Sequence, residues 1–420
     1  MGGSYHNRAP EEPTAGAACA RAPHVAVVVL GDLGRSPRML YHARALADAN
    51  ARVSLVGYRV SDLDADVPTY SGIDIHALRA PATDVPRGLF ILHGILRVLR
   101  QSVELAGVLR RIGADTILVQ TPPAIPTLLV ALAVARVGRR RLVVDWHNFG
   151  WAMLALRLGA RHLVVRLARG WERILGRRAD AHLCVSEAMA TALARDAGIR
   201  ATVFHDRPAE RFVPASPAAR AAVRARLASE LGLDAPPLLV VAPTGWTADE
   251  DMQLLVEAAI QLDAMIGTEG AVAIVATGRG PLRTEWERRV ATLRLRRVHL
   301  RPRWIPAAEY PAFLAAADVG VSLHRSASGV DLPMKIADLL GAGVPVCALA
   351  YAPCLAEMLR DGETGLLFDT AEELAVRLRT LLAGQADERG LLATLRRNVV
   401  ASPERWRDGW NRAARPLLLP

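Results

Sequence analysis

Two series of short, continuous β-branched runs, each alternating with helical patterns, constrain this chain more than any other feature. The first series reads as strands at 25–30, 53–57, 116–120, 142–144 and 182–185. The second reads as strands at 238–242, 272–277, 298–300, 319–323 and 344–349. Runs that are apolar throughout, without polar alternation, belong in sheets covered on both faces. Strands separated by helices predict a parallel sheet, and two such series predict two of them. Between the series the pattern breaks at Pro208, Pro214 and Pro217, and Leu233-Asp234-Ala235-Pro236-Pro237 precedes the second. The chain therefore reads as α/β, with two doubly wound, Rossmann-like domains at 23–210 and 211–400 and a candidate hinge near 205–236. Residues 401–420 are expected to pack back on the first domain. With 420 residues and 51% hydrophobic content, there is material for two cores.

The first 22 residues are polar, rich in Pro, Gly and Ala, and lack the apolar stretch of a signal peptide. They read as a disordered tail. No charge-free apolar stretch reaches the length of a membrane span; the nearest, 128–137, stops at Arg139-Arg140-Arg141. Cys19, Cys184, Cys347 and Cys354 lie far apart without metal-ligand spacing. That pattern argues against a disulfide scaffold or zinc site and fits a reducing compartment.

The net charge of +10 is concentrated. Residues 87–178 hold sixteen arginines against Glu104, Asp115, Asp145 and Glu172, which leaves the rest of the chain close to neutral. This block is interleaved with leucine and valine, not with the stacking rings of single-strand binders, so nucleic acid is not the expected partner. Basic plus aliphatic residues fit an anionic membrane surface, or else ordinary helices with arginine on their wet faces.

Lys335 is the one lysine among 52 basic residues. Where arginine has replaced lysine almost everywhere, the survivor marks a place where a compact ammonium is needed and a rigid guanidinium fork does not fit. A tight diphosphate pocket is such a place; a solvated helix face is the plain alternative. Ligands of open α/β sheets bind at the carboxyl ends of the strands, and the unusual polar runs fall there. Gly31-Asp32-Leu33-Gly34-Arg35-Ser36-Pro37-Arg38 offers two glycines, two arginines and a helix start suited to anions. It is also readable as a strand-to-helix turn with Asp32 as cap. Asp145-Trp146-His147-Asn148 places an acid and an imidazole at a strand end, either for proton transfer or for a structural network. In Thr244-Gly245-Trp246-Thr247-Ala248-Asp249-Glu250-Asp251, Thr247 and Glu250 read as a capping box, which leaves Gly245 and Trp246 unexplained. Arg279, in Thr277-Gly278-Arg279-Gly280-Pro281, is placed to grip a phosphate. Pro333 should start a helix that carries Lys335 and Asp338, with Asp338 able to accept from ribose or sugar hydroxyls. Fixed cations of this kind can stabilise a departing diphosphate without a metal or cofactor.

At these residues the chain resembles the chitobiosyldiphosphodolichol β-mannosyltransferases. The resemblance is carried by Val28-Val29-Leu30-Gly31-Asp32-Leu33-Gly34-Arg35-Ser36-Pro37-Arg38-Met39, Val144-Asp145-Trp146-His147-Asn148-Phe149-Gly150, Trp246-Thr247-Ala248-Asp249-Glu250-Asp251, the Arg279 loop and Ser328-Gly329-Val330-Asp331-Leu332-Pro333-Met334-Lys335, collinear from about 25 to 410. The resemblance implies a GT-B fold and an inverting transfer of mannose from GDP-mannose to a GlcNAc₂-type acceptor on a lipid diphosphate. The donor would lie near Gly245, Trp246, Arg279, Ser328, Gly329, Asp331, Lys335 and Asp338. The acceptor would lie near Gly31, Gly34, Arg35, Arg38 and Asn148. Asp32, Asp145 and His147 are the candidate bases, with Asp32 narrowly favoured. Retaining relatives place two glutamates eight apart on this helix, whereas Asp331 and Asp338 are seven apart. Eukaryotic members carry an N-terminal anchor not seen in this sequence, so residues 87–178 are expected to supply a peripheral contact with the cytosolic face of a membrane. Another polyprenyl-linked or soluble acceptor, or a nucleotide-sugar epimerase of the same fold, is the alternative.

Overall fold

The structure, a computed structural model, describes residues 21–419 except 62, 64–66, 68–69, 81–89, 268–269, 384–388 and 402–403. The expected tail at 1–22, as far as residue 20, and Arg87 lie outside the described residues.

The first half winds through β1 (His24–Asp32), α1 (Pro37–Asp48), β2 (Arg52–Tyr58), β3 (Ile73–Leu78), α2 (Phe90–Ile112), β4 (Thr116–Thr121), α3 (Thr127–Gly138) and β5 (Arg141–Trp146). It continues through α4 (Gly150–Leu158), α5 (Leu163–Gly176), β6 (Ala181–Cys184), α6 (Glu187–Ala197) and β7 (Thr202–Val203). The second half runs α7 (Pro217–Leu231), β8 (Leu238–Pro243), α8 (Met252–Met265), β9 (Val272–Thr277), α9 (Arg283–Ala291), β10 (Val298–Arg303), α10 (Tyr310–Ala315) and β11 (Val319–Ser322). It ends with α11 (Met334–Gly341), β12 (Val346–Leu349), β13 (Gly365–Phe368), α12 (Ala371–Ala383) and α13 (Leu391–Val400). All strand pairings within the two sheets are parallel.

The strand orders are β3-β2-β1-β4-β5-β6-β7 and β10-β9-β8-β11-β12-β13. In each sheet the winding reverses once, between β1 and β4 and between β8 and β11. Loops leaving strands on either side of such a reversal diverge and open a crevice. The loops after β1, β8 and β11 are the runs singled out above, so the topology itself delivers them to one place in each half.

The halves are tied together. The chain crosses between them near Asp206 and returns near Arg405, and the two crossings meet where the Trp406 amide donates to the Pro208 carbonyl at 2.9 Å. The segment 406–418 lies on the first half: Trp406 packs edge-on to Tyr41, His42 and Phe204, and Trp410 Nε1 donates to His42 Nδ1 at 3.1 Å. Gly341, at the end of α11, is pressed against the crossing; a Cβ there would stand 2.4 Å from Pro208 Cβ. One buried apolar cluster runs from Val27 and Leu46 through Phe204 and Phe212 to Leu339.

Beneath the first crevice lies a buried polar network. Arg38, 1% exposed, donates to both oxygens of Asp145, from Nε at 2.8 Å and Nη2 at 3.1 Å. Its Nη1 donates to Asp206 at 2.7 Å and to the Phe204 carbonyl at 3.0 Å. Burial alone would raise the Asp145 carboxyl, but Arg38, His147 and His42 hold it well below the usual carboxylate range. His42 is driven toward neutrality by burial against the pull of Asp145. With its Nδ1 accepting from Trp410, its proton sits on Nε2 and faces Asp145 at 3.2 Å. A guanidinium buried without its partner is costly, so Asp145→Ala is expected to lower unfolding stability by roughly 3–5 kcal/mol, measured by denaturant titration. A loss under about 1 kcal/mol would show that the network does not hold this half together.

Candidate active site

On the first half, Asp32 ends β1 and its carboxylate is turned to the chain after β2. It accepts from the Val60 and Ser61 amides, each at 3.2 Å, and from the Ser61 hydroxyl. The turn Leu33–Arg35 and α1 follow, with Gly31 and Gly34 half-buried. Arg35 is exposed and points away from its own sheet: Nη2 lies 3.7 Å from where a Cβ on Gly245 would stand, on the loop after β8 of the other half. The residue expected to bind acceptor thus reaches a loop expected to bind donor.

Those loops are built around Glu250. Its buried Oε2 accepts from the Thr244 hydroxyl and the Gly245 amide, both at 2.6 Å, and its Oε1 pairs with Lys335 Nζ. The capping-box expectation fails here. Asp251 caps α8, accepting from the Leu254 amide at 3.1 Å, which frees Glu250 to turn inward. Trp246 is corrected as well: its ring is fully buried, edge-on to Trp286 at 5.1 Å, so no face is open to a nucleotide. It holds a left-handed backbone at φ 53°, uncommon for a bulky residue and consistent with a turn held under constraint. The loop after β9 lies directly on this turn. A Cβ on Gly278, itself at φ 122°, would stand 1.9 Å from the Thr244 carbonyl oxygen, so only glycine fits. Arg279 is exposed, with its guanidinium 4.1 Å from the Trp304 ring centre.

After β11, Ser328 and Gly329 form a turn whose amides donate to the Ser326 hydroxyl at 3.2 and 2.7 Å. Asp331 was expected to meet the donor. The structure buries it instead against His324 Nε2 at 2.9 Å, with the Ser326 and Ser328 hydroxyls on its other oxygen. Burial would lower the His324 imidazole, but Asp249 and Asp331 together raise it to about 9. Pro333 leads into α11 in an extended conformation, and Lys335 and Asp338 follow on the first turns. The Lys335 side chain is 32% exposed above a Glu250 side chain that is 3% exposed. Burial pushes the ammonium down to about 8, with Asp249 and Asp338 opposing the shift and Arg35 adding to it. Lys335 therefore remains a cation at neutral pH, with Arg35 as its cationic neighbour.

On the first half the two strand-end arginines divide. Arg35 reaches the cleft, while Arg38 is sealed in the network below and cannot meet a ligand. Asp145 is likewise no base: it is fully buried, ionised, and surrounded by Arg38, His42 and His147. What it does is orient His147, whose Nε2 stands 3.0 Å from Asp145 Oδ2 and whose side chain is 21% exposed. An imidazole tied through Nε2 to a carboxylate carries a proton there and leaves Nδ1 as its acceptor nitrogen. Asn148 turns its side-chain oxygen to the Phe149 amide at 2.7 Å, opening α4. Glu172, which the sequence offers only as one of four acids in the basic block, is buried under that helix start, accepts from the Trp151 amide at 3.1 Å and is pushed up to about 8 by burial. It is the single acid between Gly150 and Arg178, set among six arginines.

The sequence matches the family description "Glycosyltransferase Family 4" over residues 37–206 and "Glycosyl transferases group 1" over residues 236–384. A Mus musculus protein named chitobiosyldiphosphodolichol beta-mannosyltransferase is 36% identical, across 95% of this chain and 89% of that one. A Yarrowia lipolytica protein of the same name is 37% identical, across 93% and 85%. An Arabidopsis thaliana protein named UDP-glycosyltransferase TURAN is 36% identical, across 93% and 96%. Among solved structures, sucrose-phosphate synthase from Thermosynechococcus elongatus superposes with a TM-score of 0.67 at 19% identity, covering 95% of this chain and 97% of that one. Anabaena Alr3699/HepE in complex with UDP and glucose gives 0.63 at 18% identity, covering 93% and 95%. The expected GT-B architecture of two Rossmann-like domains is the one observed, and this chain is a glycosyltransferase of the chitobiosyldiphosphodolichol β-mannosyltransferase family.

Proposed function

We propose that this glycosyltransferase moves mannose from GDP-mannose, with inversion, onto a GlcNAc₂-type acceptor carried by a lipid diphosphate as a β-1,4 linkage. The carrying observation is the convergence of Lys335 and Arg35, from opposite halves, on the Gly245 turn. Two fixed cations at a strand-end crevice suit a diphosphate leaving group, whose growing charge they neutralise without reorganising. Donor recognition falls to Gly245, Ser328, Gly329, Lys335 and Asp338. Arg279 sits beside the same turn on Trp304. In the transfer the bond from the anomeric carbon to the phosphate oxygen breaks as the acceptor hydroxyl attacks, and that hydroxyl's proton passes to a base. His147 is the base this geometry favours over Asp32, because its Nε2 is anchored on Asp145 while Asp32 is engaged with Val60 and Ser61.

The lipid on the acceptor implies a membrane, and α4 and α5 present a surface suited to one. Met153, Leu156, Leu163, Leu167 and Ile174 are exposed there among Arg157, Arg161, Arg166 and Arg173. The one acid of the stretch, Glu172, is buried. Among the described residues no helix is long and apolar enough to cross a membrane. The fit is therefore that of a surface lying on anionic headgroups of the cytosolic face, with leucines dipping and arginines paired to phosphate.

A donor screen with labelled nucleotide sugars and a GlcNAc₂-diphosphate-lipid analogue tests the reaction directly, and mannose transfer from GDP-mannose is the expected result. Lys335→Ala is expected to lower kcat/KM by about 10²–10³ without loss of folding. In the wild type, kcat/KM should fall as pH rises through about 8, where the amine loses its charge; a rate that holds flat to high pH would remove Lys335 from this role. His147→Gln is expected to reduce kcat by about 10²–10⁴ with donor affinity nearly unchanged. A larger effect from Asp32→Asn would return the base to Asp32. Changing Arg157, Arg161, Arg166 and Arg173 together to Gln should weaken binding to anionic vesicles at least about tenfold, since each contributes about 1 kcal/mol. A wild-type chain that ignores such vesicles would refute the membrane contact.

A further inference from the structure

We infer that Glu250 is a positioning residue that acts through Lys335, aligning the amine for the donor diphosphate and then competing with the departed nucleoside diphosphate for it. This rests on the reading of Lys335 above and adds a second role at the same site, product release.

The carboxylate joins two elements that the sequence separates by 85 positions. Through Oε2 it holds the Thr244 hydroxyl and the Gly245 amide; through Oε1 it holds Lys335. The anion lies underneath, 3% exposed, and the cation lies above it, 32% exposed. A lysine ammonium has three N–H donors, so one is committed to Glu250 and two remain for a ligand. Arg35 Nη2 and Glu250 Oε2 both lie 3.7 Å from the same point, the position of a Cβ on Gly245. The carboxylate therefore stands where both cations meet the turn.

The local structure does not require this charge. A hydroxyl and an amide can be satisfied by a neutral acceptor, and the helix cap is supplied by Asp251. The negative charge has Lys335 as its partner. A fixed anion beside a diphosphate site weakens binding of any diphosphate, but not equally. In the donor the terminal phosphate carries two links, the sugar ester and the anhydride, whereas after transfer it keeps only the anhydride and gains a second ionisation near pH 6. The breaking bond leaves its electron pair on that phosphate oxygen, so at neutral pH the product carries about one more negative charge than the donor. Because Glu250 holds part of the Lys335 charge, the extra negative charge of the product gains less from that amine than it would if the carboxylate were neutral. Glu250 is thus placed to hold Lys335 while the site is empty, tolerate the donor, and discriminate against what the reaction leaves behind.

Calorimetric titration of the full chain with GDP and with GDP-mannose, without acceptor, tests this. Glu250→Gln is expected to tighten GDP by about five- to tenfold, tighten GDP-mannose clearly less, and lower kcat with stronger inhibition by GDP. In a Lys335→Met background the same substitution should change GDP affinity by less than about twofold, as a residue acting through Lys335 must. A merely structural role would weaken both ligands together. Weaker GDP binding, or an equal change for the two ligands, overturns the inference. Should the amide variant not fold, Glu250→Asp draws the charge back from Lys335 and should shift the GDP to GDP-mannose ratio in the same direction by a smaller factor; an unchanged ratio overturns it. A wild-type chain that binds neither ligand would instead withdraw the reading of the site itself.

Discussion

The contact between Arg38 and Asp145 sets the geometry of the first domain's mouth. Arg38 is on the first turn of α1, Asp145 is near the end of β5, and Asp206 and the Phe204 carbonyl belong to the crossing between domains. His42 brings in the C-terminal return through Trp410. Four separate stretches of chain thus meet around two charged side chains with almost no solvent access. A well-packed interior has no room for a second arrangement. The network fixes the helix, the strand end and the crossing against one another, and with them the loops that open into the cleft.

The same device recurs at the cleft in a more exposed form. Asp145 lies beneath His147, Glu250 beneath Lys335, and Asp331 beneath His324. In each pair the acid is the more buried member and takes further hydrogen bonds from its own surroundings, while the basic group stands partly in solvent. A buried acid of this kind is held in one orientation by its other partners and passes that orientation to the group above. In these three pairs the basic group is the outer member and the carboxylate its foundation. Asp145, one of the acids the sequence offers as a candidate base, is such a foundation.

The strands that were legible are the ones covered on both faces, because their residues are apolar without interruption. Ile73–Leu78 is an edge strand buried only at its two ends and Thr202–Val203 is two residues long, so neither produces that pattern; Gly365–Phe368 does, but over only four residues at the far edge of the second sheet. Lys335 could be picked out because composition isolates it. Arg38 could not be told from Arg35, three positions away, since only the packed structure shows that one is buried by Asp145 and Asp206 while the other crosses the cleft. Glu250 was hidden by a plausible local role, the capping box, which Asp251 fills instead. Trp246 looked like an unexplained aromatic in a ligand loop, and its explanation is Trp286, forty residues on. For Arg38, Glu250 and Trp246 the deciding partner lies far along the chain.

The scarcity of lysine has a practical corollary. Apart from the chain's α-amino group, Lys335 is the one primary amine in 420 residues, and burial has already made it easier to deprotonate than an ordinary surface lysine. An acylating reagent therefore finds a single side-chain target, seated at the mouth of the crevice. The extent of modification becomes a one-site gauge of whether that crevice is vacant or filled, legible by intact mass alone.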